Sequence, residues 1–178
     1  ITVEELMKII PGPDFPTGAE VSCGEALHYA YVKGRGKVMI KAIADFEKDK
    51  IVVTEIPYMV NKSELIEQIA DLVKDKRVQG IRNINDESDR EGIRIVIDLK
   101  SDADGQVVLN QLYEFSRLKD SFSLNLLALV DNQPKLLGLK DFIHEHIEHR
   151  KIVIVRRTTY DLRIAQERLH ILEGLLIA

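Results

Sequence analysis

From Leu139 onward the chain carries no proline, and its one glycine there, Gly174, stands near the end. Within this stretch Val155, Thr158, Leu162, Ala165, Leu169, Leu172 and Leu176 recur at alternating spacings of three and four residues, and all but Thr158 are apolar. That spacing is a heptad seam, the pattern of a helix that lies along another helix. The run Ile152-Val153-Ile154-Val155 is β-branched throughout and argues locally for a strand. The unbroken phase on its C-terminal side argues for helix, and helix is the expectation here. The seam has no counterpart elsewhere in the sequence, so its partner is a missing segment or a second copy. The chain also opens at "ITVEELM" and closes inside an apolar helical pattern, as expected of a piece taken from something longer.

Ahead of the arm the periodicities are mixed. Thr2 stands three residues before Glu5, and Ser22 three before Glu25, two capping-box signatures. The first predicts a helix ending near Ile10, where "PGPDFP" begins. The second predicts a helix to about Lys33, stopped by Gly34 in the left-handed conformation. Residues 37–46 and 51–57 are β-branched and alternating, joined by "EKDK", and read as a hairpin. On its first strand Val38, Ile40 and Ala42 share one face, and Lys37, Met39 and Lys41 the other. Residues 61–76 form an amphipathic helix capped by Asn61, with Leu65, Ile69, Leu72 and Val73 inward. "GIRNIND" and "REGIRIVIDLK" read as strands. Residues 104–118 read as a helix with Val108, Leu112 and Phe115 inward, and "SFSLNLLALV" pairs with "PKLLG" as a second hairpin across "DNQ". The fold class is α+β, a layered and mostly antiparallel sheet with helices, followed by a long helical coiled-coil arm. Its parts are a helical lead-in (1–36), an α+β domain (37–138) and the arm (139–178).

The composition, 45% hydrophobic and 30% charged, is that of a globular chain able to bury a core. No apolar run approaches the ~20 residues of a membrane span. The single cysteine, Cys23, forms no internal disulfide framework and fits a reducing, cytoplasmic compartment. It has no His or Cys neighbour in "VSCGE" and reads as structural.

The candidate sites are few. "VKGRGKVMIKA" (32–42) concentrates Lys33, Arg35, Lys37 and Lys41 without an acid, although the formal charge of the chain is −4. Its glycines follow a helix and precede a strand, the reverse of a phosphate loop. It reads as a basic face, suited to nucleic-acid phosphates or simply to solvent. "NDESDREG" (85–92) holds four acids but lacks calcium-loop spacing, and reads as a charged turn. "HEHIEHR" (144–150) is not HExxH; His146 and His149 face the same way on a helix, where solvent is the ordinary environment. No nucleophile–base–acid set emerges, so the catalytic and metal assignments are both none.

Several long stretches together resemble the A subunits of bacterial DNA gyrase: "ELMKIIPGPDFPTG", "GRGKVMIKA", "VVTEIPYMVNKSELIEQIADLVKDKRVQGI", "DESDREGIRIVIDLK", "VVLNQLY", "NLLALVDNQPKLL" and "HRKIVIVRRTTYDLRIAQERLHILEGLLIA". The similarity is nearly collinear over the chain, with the A-type subunit of topoisomerase IV as the close paralogue. The resemblance implies the tower domain of a type IIA topoisomerase and the outgoing arm of its coiled coil. The partners it implies are double-stranded DNA, the gyrase B subunit, and a homodimer of A subunits, in an A2B2 holoenzyme that supercoils DNA at the expense of ATP. The implied location is the cytoplasm, at the nucleoid.

It also implies that chemistry lies elsewhere. The family nucleophile is a tyrosine preceded by arginine, and none of Tyr29, Tyr31, Tyr58, Tyr113 and Tyr160 is so preceded. Mg2+ and ATP are bound by the B subunit in the family, so this segment is implied to hold no cofactor. The DNA contacts implied are Arg35, Lys37 and Lys41, with Lys33 weaker, because Val32 and Lys33 replace a common arginine and threonine. The helix-pairing residues are those of the heptad seam, Val155, Leu162, Ala165, Leu169, Leu172 and Leu176, which the resemblance assigns to the outgoing arm. Asn132 stands where glycine is frequent, and asparagine tolerates the same turn. Without the resemblance, the seam by itself would suit a non-enzymatic interaction module.

Overall fold

A computed structural model describes residues 1–22 and 24–177; the reading of Cys23 lies outside them. Helix α1 (Val3–Met7) starts at the first capping box, with Glu5 N–H donating to the Thr2 hydroxyl at 3.3 Å and Thr2 N–H to the Glu5 carboxylate at 2.8 Å. It ends earlier than Ile10, whose N–H instead turns back to the Leu6 carbonyl at 2.8 Å. The second capping box does not form. Ser22 belongs to strand β1 (Glu20–Ser22), where it pairs with Met39, and α2 (Glu25–Lys33) starts from Gly24 with no side-chain cap. Cross-strand pairing has drawn the serine away from the helix end. The other end of α2 is as expected, with Gly34 in the left-handed conformation at φ 74°.

The stretch 37–46 is not one strand. Strand β2 (Arg35–Lys41) ends before Ala42, and β3 (Ile43–Glu47) starts after it in a different sheet. Ala42 is buried; its N–H donates to the Leu118 carbonyl at 2.7 Å, and its carbonyl accepts from the Tyr113 hydroxyl at 3.0 Å. With both groups taken by distant residues, the strand changes partners there. β3 then pairs with β4 (Lys50–Glu55) as the expected hairpin.

Asn61 caps α3 (Lys62–Lys74), and Leu65, Ile69 and Leu72 are buried as predicted. Strands β5 (Ile81–Asp86) and β6 (Ile95–Leu99) complete an antiparallel sheet ordered β3-β4-β6-β5. Against it lie α3 and α4 (Gly105–Phe115), giving one core that includes Ile51, Val53, Ile69, Ile95, Ile97 and Leu112. Phe115 departs from expectation. It is the last residue of α4, the chain leaves the helix at Ser116 in an extended conformation, and the ring is 38% exposed beneath the Arg77 guanidinium at 4.8 Å.

The second hairpin is also redistributed. β7 (Lys119–Asn125) pairs with β2, making a three-stranded sheet ordered β1-β2-β7. Only β8 (Leu127–Val130) and β9 (Gln133–Leu136) form the hairpin, turning at Asp131 and Asn132, both left-handed at φ 53° and 62°. The three-stranded sheet has its own small core of Leu27, Tyr31 and Val38, closed by Val21, Phe122, Leu124 and Leu139. Leu139 opens α5 (Leu139–Ile177), a single 39-residue helix that runs unbroken through Ile152–Val155 and buries none of its residues. Among the described residues no helix is long and apolar enough to cross a membrane.

Candidate nucleic-acid interface

The three-stranded sheet has one covered face and one bare face. Along β2, Val38 and Ile40 are buried at 1% exposure each while Arg35, Lys37 and Met39 point outward, so the alternation read from sequence holds. Along β7, Phe122 and Leu124 pack inward, and Lys119, Ser121, Ser123 and Asn125 are exposed. The antiparallel register places Arg35 opposite Asn125, Lys37 opposite Ser123, Met39 opposite Ser121 and Lys41 opposite Lys119. Partners so placed sit about 5 Å apart on the same face. The bare face is therefore a row of cations beside a row of small hydroxyl and amide side chains.

Six steps of extended chain carry Arg35 to Lys41 over about 20 Å, a length matching roughly six phosphates of one DNA strand. Lysine and arginine supply the charge for such phosphates, and serine and asparagine supply short neutral donors. Arg35, Lys37, Lys33 and Lys119 have no carboxylate partner among the described residues. Lys41 is different: its Nζ lies 3.9 Å from the Glu20 carboxylate and 4.7 Å from the Tyr113 ring centroid. Burial, with Glu20 and Asp45 nearby, pushes the Tyr113 phenol up. Lys33 ends α2, the helix on the covered side, so it stands at the rim of the face.

Lys119, Ser121, Ser123 and Asn125 were not candidates from sequence. Their signal was present as alternation in "KDSFSLN", but assigning that strand to a hairpin with "PKLLG" hid its neighbour. A glycine lets the strand be covered closely. A Cβ on Gly36 would stand 2.5 Å from the Ala30 Cβ of α2, so only glycine admits the helix at that height.

The acids of 85–92 are engaged locally. Asp86 accepts from Lys62 at 2.7 Å and from the Ser88 N–H at 3.1 Å, Asp89 accepts from the Glu91 N–H at 2.8 Å, and Arg94 bridges Glu87 and Glu47. It is Arg94, not Arg90, that ties this turn. These acids do not fit a magnesium site, and among the described residues no three His, Cys, Asp or Glu converge on a common point. His146 and His149 lie on α5, which buries none of its residues.

The hydrogen bond from Lys62, followed by those from Ser88, holds the Asp86 carboxyl down at about 2. A depressed carboxylate contributes above its ordinary value near 3.8 and loses that contribution as pH falls through about 2. Lys62→Met is expected to return the Asp86 titration toward 3.8, read by NMR of its carboxyl carbon. An unmoved titration would assign the depression to Ser88 alone.

A protein family described as the A subunits of DNA gyrase and topoisomerase IV matches residues 1–178. Among curated relatives, the DNA gyrase A subunit of Clostridium acetobutylicum is 52% identical over 99% of this chain and 22% of the relative. The DNA gyrase A subunits of Salmonella typhimurium and Escherichia coli K12 are 53% and 52% identical over the whole chain and 21% of each relative. The chain thus spans about a fifth of the length of these relatives. Matched from end to end, and sharing about half its residues with each of these relatives, the chain belongs to the family of DNA gyrase and topoisomerase IV A subunits.

Proposed function

We propose that this chain is the tower and outgoing coiled-coil arm of a DNA gyrase A subunit, which with a B subunit introduces negative supercoils by ATP-dependent passage of one duplex through another. The observation that carries the local part of this reading is the bare face of β2 and β7, where cations and small donors alternate in register over a covered sheet. On this reading Arg35 and Lys37 meet phosphates of the duplex being cut, Lys119 joins them, and Lys41 contributes less because Glu20 shares its charge. Lys33 contacts DNA from the rim. The chain does no bond chemistry of its own. Mg2+ and ATP belong to the B subunit, the holoenzyme is A2B2, and its place is the cytoplasm at the nucleoid. The parts act as a lead-in (1–36), a tower body (37–138) and an arm (139–178) that links DNA support to the exit gate.

The test is fluorescence anisotropy of a labelled duplex of roughly 40 base pairs across a salt series. Three phosphate contacts are expected to weaken binding about 40-fold between 50 and 200 mM salt, from a slope of about −0.9 per contact. Arg35→Glu/Lys37→Glu/Lys41→Glu is expected to remove the contribution of this face. A triple variant with unchanged affinity and salt slope would sink the assignment.

The seam of α5 supports the arm. Val155, Leu162, Leu169, Leu172 and Leu176 are all exposed, between 49% and 87%, and Ala165 lies among them in phase. An apolar stripe of that size seeks a partner. On this reading Leu162→Asp/Leu169→Asp abolishes any self-association in sedimentation while the rest of the chain still melts cooperatively. Melting lost together with association would refute a separable arm. Relatives named as DNA gyrase A subunits favour gyrase over the A-type subunit of topoisomerase IV, and the full-length C-terminal region tests the choice, because gyrase carries a DNA-wrapping domain there.

A further inference from the structure

Between Glu148 and Asp161 the arm helix contains no acid. That interval holds His149, Arg150, Lys151, Arg156 and Arg157 and closes on Tyr160, all exposed on α5, in a chain whose net charge is −4. Two other cations on the same helix are matched, Arg163 with Glu167 and Lys151 with Glu148, each at 2.6 Å. Arg150, Arg156 and Arg157 have no carboxylate partner among the described residues. Three free arginines within about two turns, and no acid to neutralise them, form a strong local positive belt.

Its position on the helix matters as much as its charge. At 100° per residue, Arg150 and Arg157 sit roughly 140–160° around the axis from Val155, and Arg156 roughly 120° from Leu162. A helix that covers the seam therefore leaves the three guanidinium groups open. The belt is also remote from the bare sheet. Arg150 lies about 16 Å along the helix axis from Leu139, the residue that anchors α5 to the small core.

We propose that residues 149–160 form a second duplex-DNA surface, holding phosphates through Arg150, Arg156 and Arg157 independently of the β2–β7 face. The choice of DNA as ligand rests on the function proposed above; the site itself does not. The belt is about 18 Å long, covering roughly five phosphates of one strand. Guanidinium groups match phosphate oxygens in a two-pronged fashion. Protein partners bind around a central apolar or aromatic anchor; the exposed apolar side chains beside these arginines are Ile154 and Tyr160, and the Tyr160 ring is already stacked by the Arg163 guanidinium at 5.2 Å. A phosphate backbone needs no such anchor.

The experiment is a salt-series anisotropy titration of the chain with a duplex of about 20 base pairs, in which combined variants separate the two surfaces. Arg150→Gln/Arg156→Gln/Arg157→Gln removes the belt while keeping good helix formers at exposed positions, and circular dichroism with Tm confirms that each variant is folded. In the chain already carrying Arg35→Glu/Lys37→Glu/Lys41→Glu, binding is expected to persist, to weaken about 40-fold between 50 and 200 mM salt, and to vanish when the glutamines are added. If the sheet variant binds nothing where the unaltered chain binds, the belt is overturned and the sheet reading stands. If the sheet variant binds like the unaltered chain and the glutamines abolish binding, the sheet reading fails and the belt stands. Binding that survives both sets, or is absent from every chain, overturns both.

Discussion

Gly34→Ala is expected to cost about 3 kcal/mol or more, a fall of roughly 6–12 °C in Tm for a chain of this size. Two costs combine. Gly34 sits at φ 74°, where an added side chain is strained. A Cβ there would also stand 2.3 Å from the Leu137 carbonyl oxygen, a backbone atom with little freedom to yield. The same joint is tight from its other side, since a Cβ on Gly138 would stand 2.7 Å from the Val32 carbonyl oxygen. Hydrogen bonds lock it: Leu126 N–H donates to the Gly34 carbonyl at 2.8 Å, and Leu137 N–H to the Leu126 carbonyl at 3.0 Å. Gly34 precedes Arg35 and Gly138 precedes α5, so this knuckle fixes the start of the basic strand against the root of the arm. Thermal melting of Gly34→Ala beside Gly174→Ala checks it. Gly174 has nothing within 4 Å of an added Cβ, and alanine there is expected to stabilise the helix by about 1 kcal/mol. Equal Tm values for both variants would mean that the knuckle gives way freely.

What could be read from sequence, and what could not, divides at the range of the interaction. The outward face of β2 was legible because alternation is a property of neighbours along one strand. The stop at Gly34 and the Asn61 cap were legible for the same reason, whereas the left-handed turn at Asn132 was expected from the resemblance. The break at Ala42 was not, because it depends on Leu118 and Tyr113, more than seventy residues away in both cases. Ser22 and Glu25 have the same signature as Thr2 and Glu5, yet pairing of Ser22 with Met39 overrides it. The candidate surface shows the same limit. Arg35 and Lys37 were visible in one stretch, but Lys119, Ser121, Ser123 and Asn125 joined them only through strand pairing, and the Glu20 beside Lys41 arrived with β1. A charge run tells where cations are in the chain. Only the sheet register tells which of them share a face and which are already matched.

Leu112→Ala is expected to destabilise the chain by ~2–5 kcal/mol, and Phe115→Ala by no more than about 1.5 kcal/mol, although sequence periodicity gave both positions an inward role. Leu112 is fully buried at 0% exposure in the larger core, among the inward residues of the four-stranded sheet and α3. Its removal leaves a cavity that surrounding strands cannot close, because close-packed interiors relax only partly. Its carbonyl meanwhile accepts from both the Ser116 N–H at 2.9 Å and the Ser116 hydroxyl at 2.6 Å, holding the helix end in place. Phe115 is the last residue of that helix, with 38% of its surface in water and the Arg77 guanidinium stacked at 4.8 Å. Truncating it forfeits a partly exposed ring and one cation–π contact at the surface. Paired urea melts decide the matter: a Phe115→Ala loss equal to that of Leu112→Ala would put the ring in the core and the helix end somewhere else. The contrast also bears on function, because the turn from Ser116 to Leu118 delivers β7 to the basic sheet and supplies the carbonyl that parts β2 from β3 at Ala42. Loosening the core at Leu112 is therefore expected to weaken DNA binding as well as stability, whereas Phe115→Ala leaves binding intact.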